Sequence, residues 1–195
     1  MGGLVRLMGC DMRRALVTPD MLDACRRGEP DAFNQLVAAC RDRVFSLAWH
    51  LSGSKSLADD ITQDVFVKLL TRLGQFRQEA QFTTWLYRVV ANTATDYRRA
   101  GRRLVAVDDP EMAGWQAPQQ EERYLREEAA GRVRQALARL RPRFRAPLVL
   151  RYIEGLSYDE IGRVLGISPG TVASRLSRGQ MQLGRELRDL EPEME

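Results

Sequence analysis

Histidine is nearly absent from this 195-residue chain, occurring only as His50. One imidazole leaves little room for metal binding or for acid–base chemistry built on histidine. Lysine is almost as scarce, present only at Lys55 and Lys68 among 30 basic residues. The remaining cations are arginines, whose planar fork suits bidentate phosphate and base-edge contacts. A GC-rich genome would give the same bias. The three cysteines, Cys10, Cys25 and Cys40, are odd in number and about fifteen residues apart, unlike the close pairs of zinc sites. They are expected to be reduced thiols, buried or idle, with redox sensing by Cys25 and Cys40 as the competing reading. No run approaches the ~20 apolar residues of a membrane helix.

Other signals are missing too. The chain contains no G-x-G-x-x-G and no G-x-x-x-x-G-K-[ST], so common nucleotide motifs are out. Leu7-Met8-Gly9-Cys10 mimics a lipoprotein cleavage box, but no apolar run precedes it. Met1-Gly2 mimics a myristoylation start, but Arg6 stands where Ser or Thr is required. The expectation is a cytoplasmic chain with no membrane insertion, no cofactor, no metal and no enzymatic centre. Thirty basic against 26 acidic residues leave a net charge of +4, which permits a nucleic-acid partner without requiring one.

What is present divides the chain. Residues 18–103 and 121–195 each mix both signs of charge, whereas 104–120 holds Asp108, Asp109 and Glu111 and no cation. That stretch also carries Pro110, Gly114 and Pro118, and reads as a flexible acidic linker between two small domains. Residues 1–17 form an extension of uncertain role, and translation from Met12 is a further possibility. In the first domain Phe33, Leu36, Val37 and Cys40 recur at helical spacing, as do Val44, Leu47, Ala48 and Leu51. Ile61, Val65, Leu69 and Leu73 repeat every fourth residue, with Phe66 and Leu70 widening the stripe. A last helix begins near Thr83, with Leu86, Val89, Val90 and Tyr97 on its apolar side. The second domain, 121–190, continues with Leu125, Val133, Leu137, Leu140, Leu148, Val149 and Tyr152. No alternating segment is strong enough for a strand, so the fold class is all-α.

The most informative segment closes the second domain. Ser157 and Glu160 form a capping-box pattern opening a helix over 157–165. Gly166 suits a left-handed C-cap, and Ser168-Pro169 supply an N-cap and first-turn proline for a helix over 169–183. So tight a turn forces the helices to cross steeply, with Ile161, Val164 and Leu165 meeting Val172 and Leu176. Gly162 faces the crossing, where a larger side chain would not fit. These are the requirements of a helix-turn-helix. With Val172, Leu176 and Leu183 inward, the second helix presents Thr171, Ala173, Ser174, Arg175, Ser177 and Arg178. Short side chains allow approach to a major groove, and two arginines can pair with guanine edges or phosphates. The competing reading is a helical hairpin with a solvated basic face.

Two faces of the first domain also stand out. On the 57–73 helix, Asp59, Gln63 and Phe66 lie opposite the apolar stripe, beside Asp60 and Asp64. An aromatic among carboxylates suggests a docking surface for a basic helix, against which stands an ordinary solvated acidic face. On the helix from Thr83, the polar side reads Thr84, Arg88, Asn92, Thr95 and Arg99. Phe82, Trp85 and Tyr87 cluster at its start, and Arg98, Arg99, Arg102 and Arg103 crowd its end. Aromatics beside Arg and Asn suit unstacked bases of single-stranded DNA. Equally, Phe82 and Trp85 read as plain core.

The run from Leu57 to Phe66, with Phe82-Thr-Thr-Trp-Leu-Tyr-Arg88 and Asn92-Thr-Ala-Thr-Asp-Tyr-Arg-Arg99, resembles region 2 of a bacterial RNA polymerase sigma factor. Gly155-Leu-Ser-Tyr-Asp-Glu-Ile161, followed by Gly170-Thr-Val-Ala-Ser-Arg175 and Arg178, resembles region 4. Both regions in this order, with a short linker and no other sigma region, resemble the extracytoplasmic-function (ECF) group over about residues 20–187. The resemblance implies a factor that binds core RNA polymerase and directs promoter-specific initiation, held inactive by an anti-sigma factor. It implies that Asp59, Asp60, Gln63, Asp64 and Phe66 engage the clamp helices of the largest polymerase subunit, and that the flap is a second contact. It further implies that Phe82, Thr84, Trp85, Arg88, Asn92, Thr95, Arg98 and Arg99 open and read the minus-10 element. Ser168, Thr171, Ala173, Ser174, Arg175, Ser177 and Arg178 would read the minus-35 element as duplex. Two positions depart from the family pattern, which commonly has Lys or Arg at Ala173 and Ala at Gly179. The glycine is expected to loosen its helix by up to ~1 kcal/mol. Two other functions compete: a stand-alone helix-turn-helix regulator with a sensing or dimerising first domain, and a metal-dependent nuclease built on Asp59, Asp60 and Asp64. The second lacks an evident general base.

Overall fold

Prolines and short polar side chains set where the helices begin. A computed structural model describes residues 17–76, 81–100 and 120–190, with backbone alone for residues 75 and 120–127. Of the expected linker over 104–120 and the N-terminal extension over 1–17, all but Gln120 and Val17 lie outside the described residues, as does Cys10. Helix α1 (Pro19–Arg26) starts on Thr18, whose Oγ1 accepts the Met21 N–H at 3.2 Å. Helix α2 (Pro30–Ser52) again opens on proline, the residue whose fixed φ suits a first turn. It ends on Gly53 at φ +78°, a left-handed geometry that L side chains rarely adopt. Ser54 then caps α3 (Lys55–Arg72), which runs into a short 3₁₀ turn at Leu73–Gln75. Helix α4 (Phe82–Arg99) completes the first unit.

The second unit comprises α5 (Gln120–Arg139), α6 (Pro142–Leu148), a π turn (Val149–Ile153), α7 (Tyr158–Leu165) and α8 (Pro169–Arg188). Pro147 lies inside α6 and has no N–H to give to the preceding turn. The chain beyond it widens, and the Glu154 N–H closes onto the Val149 carbonyl at 3.2 Å. Among the described residues every regular element is helical, as the sequence patterning requires.

Aliphatic stripes build the core. Leu36, Leu47, Ile61, Val65, Leu69 and Val90 have no exposed surface in the first unit, nor do Leu150, Ile161 and Val172 in the second. Burying each side chain of this size contributes about 1.5–3 kcal/mol against conformational entropy. The two apolar groups over 33–51 belong to one 23-residue helix, because nothing between Cys40 and Val44 breaks it. Three sequence expectations need correction. Leu70, expected in the stripe, is 63% exposed, since the drift of a 3.6-residue period carries it to the outer face. Tyr152, placed in the apolar period of the second unit, is 39% exposed and accepts a hydrogen bond from Gln180. Helix α8 runs five residues past its expected end at 183.

The two units pack against each other. Helix α4 lies along α7, and α2 meets α5 and α6. At Gly53 an added Cβ would stand 2.8 Å from the Ala138 Cβ, so the backbones approach too closely for any side chain. His50 sits near this junction, its Nδ1 donating to the Ser46 carbonyl at 2.7 Å. Burial lowers its pKa, so the ring is neutral at pH 7. Cys40 is buried, and loss of solvent pushes its thiol up to about 11. A thiol held protonated is a poor nucleophile and a poor redox sensor.

Candidate docking and nucleic-acid interfaces

Helix α3 presents an outward face that is neither wholly acidic nor wholly apolar. Asp59, Asp60 and Gln63 are exposed, and Asp64 and Phe66 are half-buried. Phe66 packs partly on the core. Val67 and Leu70, 61% and 63% exposed, extend the ridge that starts at Gln63 with i, i+3, i+4 and i+7 spacing. Two large aliphatic side chains left in water beside carboxylates fit a surface that a partner covers. Sequence reasoning missed Val67 and assigned Leu70 inward. The available signal was the second apolar stripe itself, offset from the first by one position.

Helix α4 divides the residues expected to read single-stranded DNA. Thr84 is buried at 7% exposure and cannot reach a strand in this conformation; one turn earlier than Arg88, it has already rotated into the core. Phe82 and Trp85 are half-buried and cluster with Phe76, at ring distances of 5.7 and 5.4 Å from it. The core reading therefore describes part of each ring, and the rest of each is open to solvent. Arg88, Asn92, Arg98 and Arg99 are exposed. Thr95 is half-buried, its hydroxyl donating to the Ala91 carbonyl at 2.9 Å.

Those side chains line two clefts. One, of about 620 Å³, runs between α3 and α4 past Lys68, Arg72, Trp85, Arg88, Asn92 and Arg99. Lys68 donates to the Thr93 hydroxyl at 2.9 Å, which fixes its ammonium on this wall. Neither Lys68 nor Arg72 was expected here, because on sequence each belonged to the other helix. A basic groove with a half-exposed tryptophan suits a single-stranded backbone and stacked bases. The other cleft, of about 400 Å³, lies between the units. Asn92, Thr95, Arg98 and Arg99 form one wall, and Arg143, Arg145 and Arg175 contribute to the other. Burial, with Arg98 nearby, lowers the Arg145 pKa to about 10, which leaves it charged at neutral pH.

The helix-turn-helix follows the local chemistry closely. Ser157 and Glu160 cap each other reciprocally: the Ser157 N–H donates to Glu160 Oε2 at 2.7 Å, and the Glu160 N–H to Ser157 Oγ at 3.3 Å. Gly166 adopts φ +66°. An added Cβ at Gly162 would stand 2.7 Å from the Ile167 carbonyl oxygen, so the turn admits only glycine there. Ser168 caps α8 and shares a hydrogen bond with the Thr171 hydroxyl at 2.9 Å. Ser168, Ser174, Ser177 and Arg178 are exposed; Thr171, Ala173 and Arg175 are half-buried. Gly179 is buried, with Leu148 Cδ1 3.1 Å and the Phe144 carbonyl 3.3 Å from an added Cβ. It is a packing position that lets α8 approach α6, not merely a weak spot in a helix.

Among the described residues, no three of His, Cys, Asp and Glu are grouped so that they could hold a metal ion. The carboxylates at 59, 60 and 64 do not form such a group. No helix among the described residues is long and apolar enough to cross a membrane.

Comparison with known proteins places both units in one family. The Sigma-70 region 2 model matches residues 36–104, and the Sigma-70 region 4 model matches 130–183. The first match covers the unit that a stand-alone regulator would use for sensing or dimerising. The ECF RNA polymerase sigma factor SigW of Bacillus subtilis is 31% identical over 176 residues, covering 85% of this chain and 94% of that protein. The ECF RNA polymerase sigma-E factor of Escherichia coli K12 is 31% identical over 189 residues, covering 92% and 98%. SigE of Mycolicibacterium smegmatis is 39% identical over 155 residues, and this chain spans 60% of its length. Among solved structures, CnrH in complex with the cytosolic domain of CnrY is similar, with a TM-score of 0.63 and 26% identity over 89% of this chain and 97% of that one. RpoE of Bartonella quintana shares the fold, with a TM-score of 0.63 at 21% identity over 80% and 96%. Near-full-length likeness at this identity, with each matched region on the unit that carries its face, makes this chain a member of the ECF RNA polymerase sigma factors.

Proposed function

We propose that the chain works as a dissociable initiation factor with three surfaces on two domains. The outward face of α3, with Asp59, Asp60, Gln63, Asp64 and Phe66 and now Val67 and Leu70, docks on the clamp helices of the polymerase largest subunit. The groove of α4, with Trp85, Arg88, Asn92, Arg98 and Arg99 and with Lys68 and Arg72 opposite, captures the minus-10 bases as they leave the duplex. The exposed face of α8, from Ser168 to Arg178, reads the minus-35 element in the major groove, and the second domain also meets the flap. The single observation that carries this division is the pair of family matches falling separately on the units that bear these surfaces.

The chemistry is positional. A base is available to α4 only in open DNA, so capturing it stabilises the melted strand. A net charge of +4 gives little non-specific DNA affinity. Polymerase supplies the missing affinity by holding both units over one promoter and raising their effective concentration there. The factor itself makes and breaks no covalent bond; nucleotide transfer belongs to the polymerase. The chain acts in the cytoplasm, and its domains divide near residues 104–120. CnrH is solved with a second protein bound to it, and a comparable anti-sigma partner holds this chain inactive.

Adding the chain to core polymerase and a promoter enriched from a sequence pool tests this. Permanganate reactivity of thymines near minus 10 is the expected result. Absence of stimulated opening on every enriched sequence would refute the reading.

A further inference from the structure

Part of the contact between the two units falls on surfaces that are meant to meet DNA. Arg88, on the polar side of α4, donates from Nε at 3.0 Å and from Nη2 to the Arg163 carbonyl at the end of α7. Arg175 of α8 lines the same 400 Å³ cleft as Asn92, Thr95, Arg98 and Arg99. Elements centred at minus 10 and minus 35 lie some 25 base steps apart, about 85 Å along the duplex at ~3.4 Å per step. One cleft cannot serve both. The closed chain is therefore incompatible with a promoter-bound one, and the units must part. The roughly 20 residues between α4 and α5 reach ~65 Å if extended, so the covalent connection permits separation.

The polar contacts at the junction converge on one carboxylate. Glu154, delivered by the π turn after Pro147, has a side chain only 6% exposed. It accepts the Tyr87 hydroxyl from α4 and the Arg43 Nε from α2, the latter at 3.1 Å. The Arg43 guanidinium also lies over the Tyr87 ring, 5.1 Å from its centroid. Burial first, and then the Glu154 carboxylate, push the Tyr87 phenol well above its usual range, so it stays a donor. Two further polar contacts flank this group. Arg145 donates from Nη1 to the Leu51 carbonyl at 2.8 Å, and the Arg134 guanidinium covers Trp49 at 4.7 Å. When the units separate, each of these groups can be hydrated, so opening leaves no ionised group stranded. Removing the Glu154 carboxylate acts only on the closed form, where Tyr87 and Arg43 then lose a buried acceptor.

We propose that this closed form is a self-masked resting state of the factor, and that Glu154 is the latch holding the second unit over the polar side of α4. This rests on the reading of α4 and α8 given above, and deepens it by naming an intrachain control. Small-angle scattering of the full chain, paired with titration of core polymerase, tests it with Glu154→Ala and, as a milder second variant, Tyr87→Phe. Unchanged far-UV helicity verifies that each variant is folded. The wild type is expected to show a radius of gyration of about 16 Å, the value for a compact chain of this length. Glu154→Ala is expected to expand it and to bind polymerase at least tenfold more tightly, with Tyr87→Phe between the two. An already extended wild type, or folded variants that scatter and bind as the wild type does, would overturn the latch while leaving the sigma reading intact. Expansion of the variants without polymerase binding by any of the three proteins would support the latch and overturn the sigma reading instead.

Discussion

Helices α3 and α4 are both 18 residues long, pack on each other and share one core, yet they present their working faces differently. The outer face of α3 is uncovered, to the point of leaving Val67 and Leu70 in water. The polar face of α4 is shared between an open groove and the second unit, which takes Arg88 for its own Arg163 carbonyl. The difference teaches an order of events. A partner for α3 can bind the closed chain, whereas full use of α4 on a promoter requires the units to part. On the proposed reading, polymerase comes first and promoter second.

The largest effect expected from this contrast is on α3. Asp60→Arg combined with Asp64→Arg reverses the charge of the docking face and is expected to abolish polymerase pull-down, with helicity by circular dichroism unchanged. Undiminished capture would remove α3 as the docking surface. Val67→Asp sharpens the same point with one residue. A charge in the middle of an apolar contact is expected to cost about 2 kcal/mol of binding, roughly thirtyfold in Kd by titration. A Kd within twofold of wild type would mean the exposed aliphatics are incidental.

How much of this could be read from the sequence differs between the units. In the helix-turn-helix, each structural demand is met by a residue close in sequence: Ser157 and Glu160 for the cap, Gly166 for the left-handed turn, Gly162 for the tight approach. Local chemistry dictated local geometry, so the motif was legible. Thr84 and Leu70 were misplaced for the opposite reason. Their burial depends on which neighbour packs against them, and a helical period alone does not specify the neighbour. Lys68 and Arg72 joined the α4 groove only because α3 lies alongside. The closure of the units left no local signal either. Glu154 and Arg43 are 111 residues apart, and nothing near either one announces the other.

Smaller effects separate the two readings of α8. Arg178→Ala is expected to cost about 1–3 kcal/mol at one promoter position if its guanidinium reads a base. Run-off transcription across single-base promoter variants reads this directly; an equal loss on all of them would assign Arg178 to phosphate. The smallest change is at Gly179. Alanine gains ~1 kcal/mol of helix propensity, but its Cβ must push against Leu148 and the Phe144 carbonyl at 3.1–3.3 Å. Overpacking of that kind typically costs about 1–3 kcal/mol, so Gly179→Ala is expected to leave Tm unchanged or lower it. A raised Tm would show that the contact between α6 and α8 has room to give.

The order of events is tested most directly by energy transfer between dyes placed on exposed Gln35 of α2 and exposed Arg188 of α8. The free chain is expected to give one high-transfer population. Core polymerase, added before any DNA, is expected to convert it to low transfer, with promoter DNA causing little further change. Transfer that stays high through open-complex formation, or that falls only when DNA is added, would contradict the account.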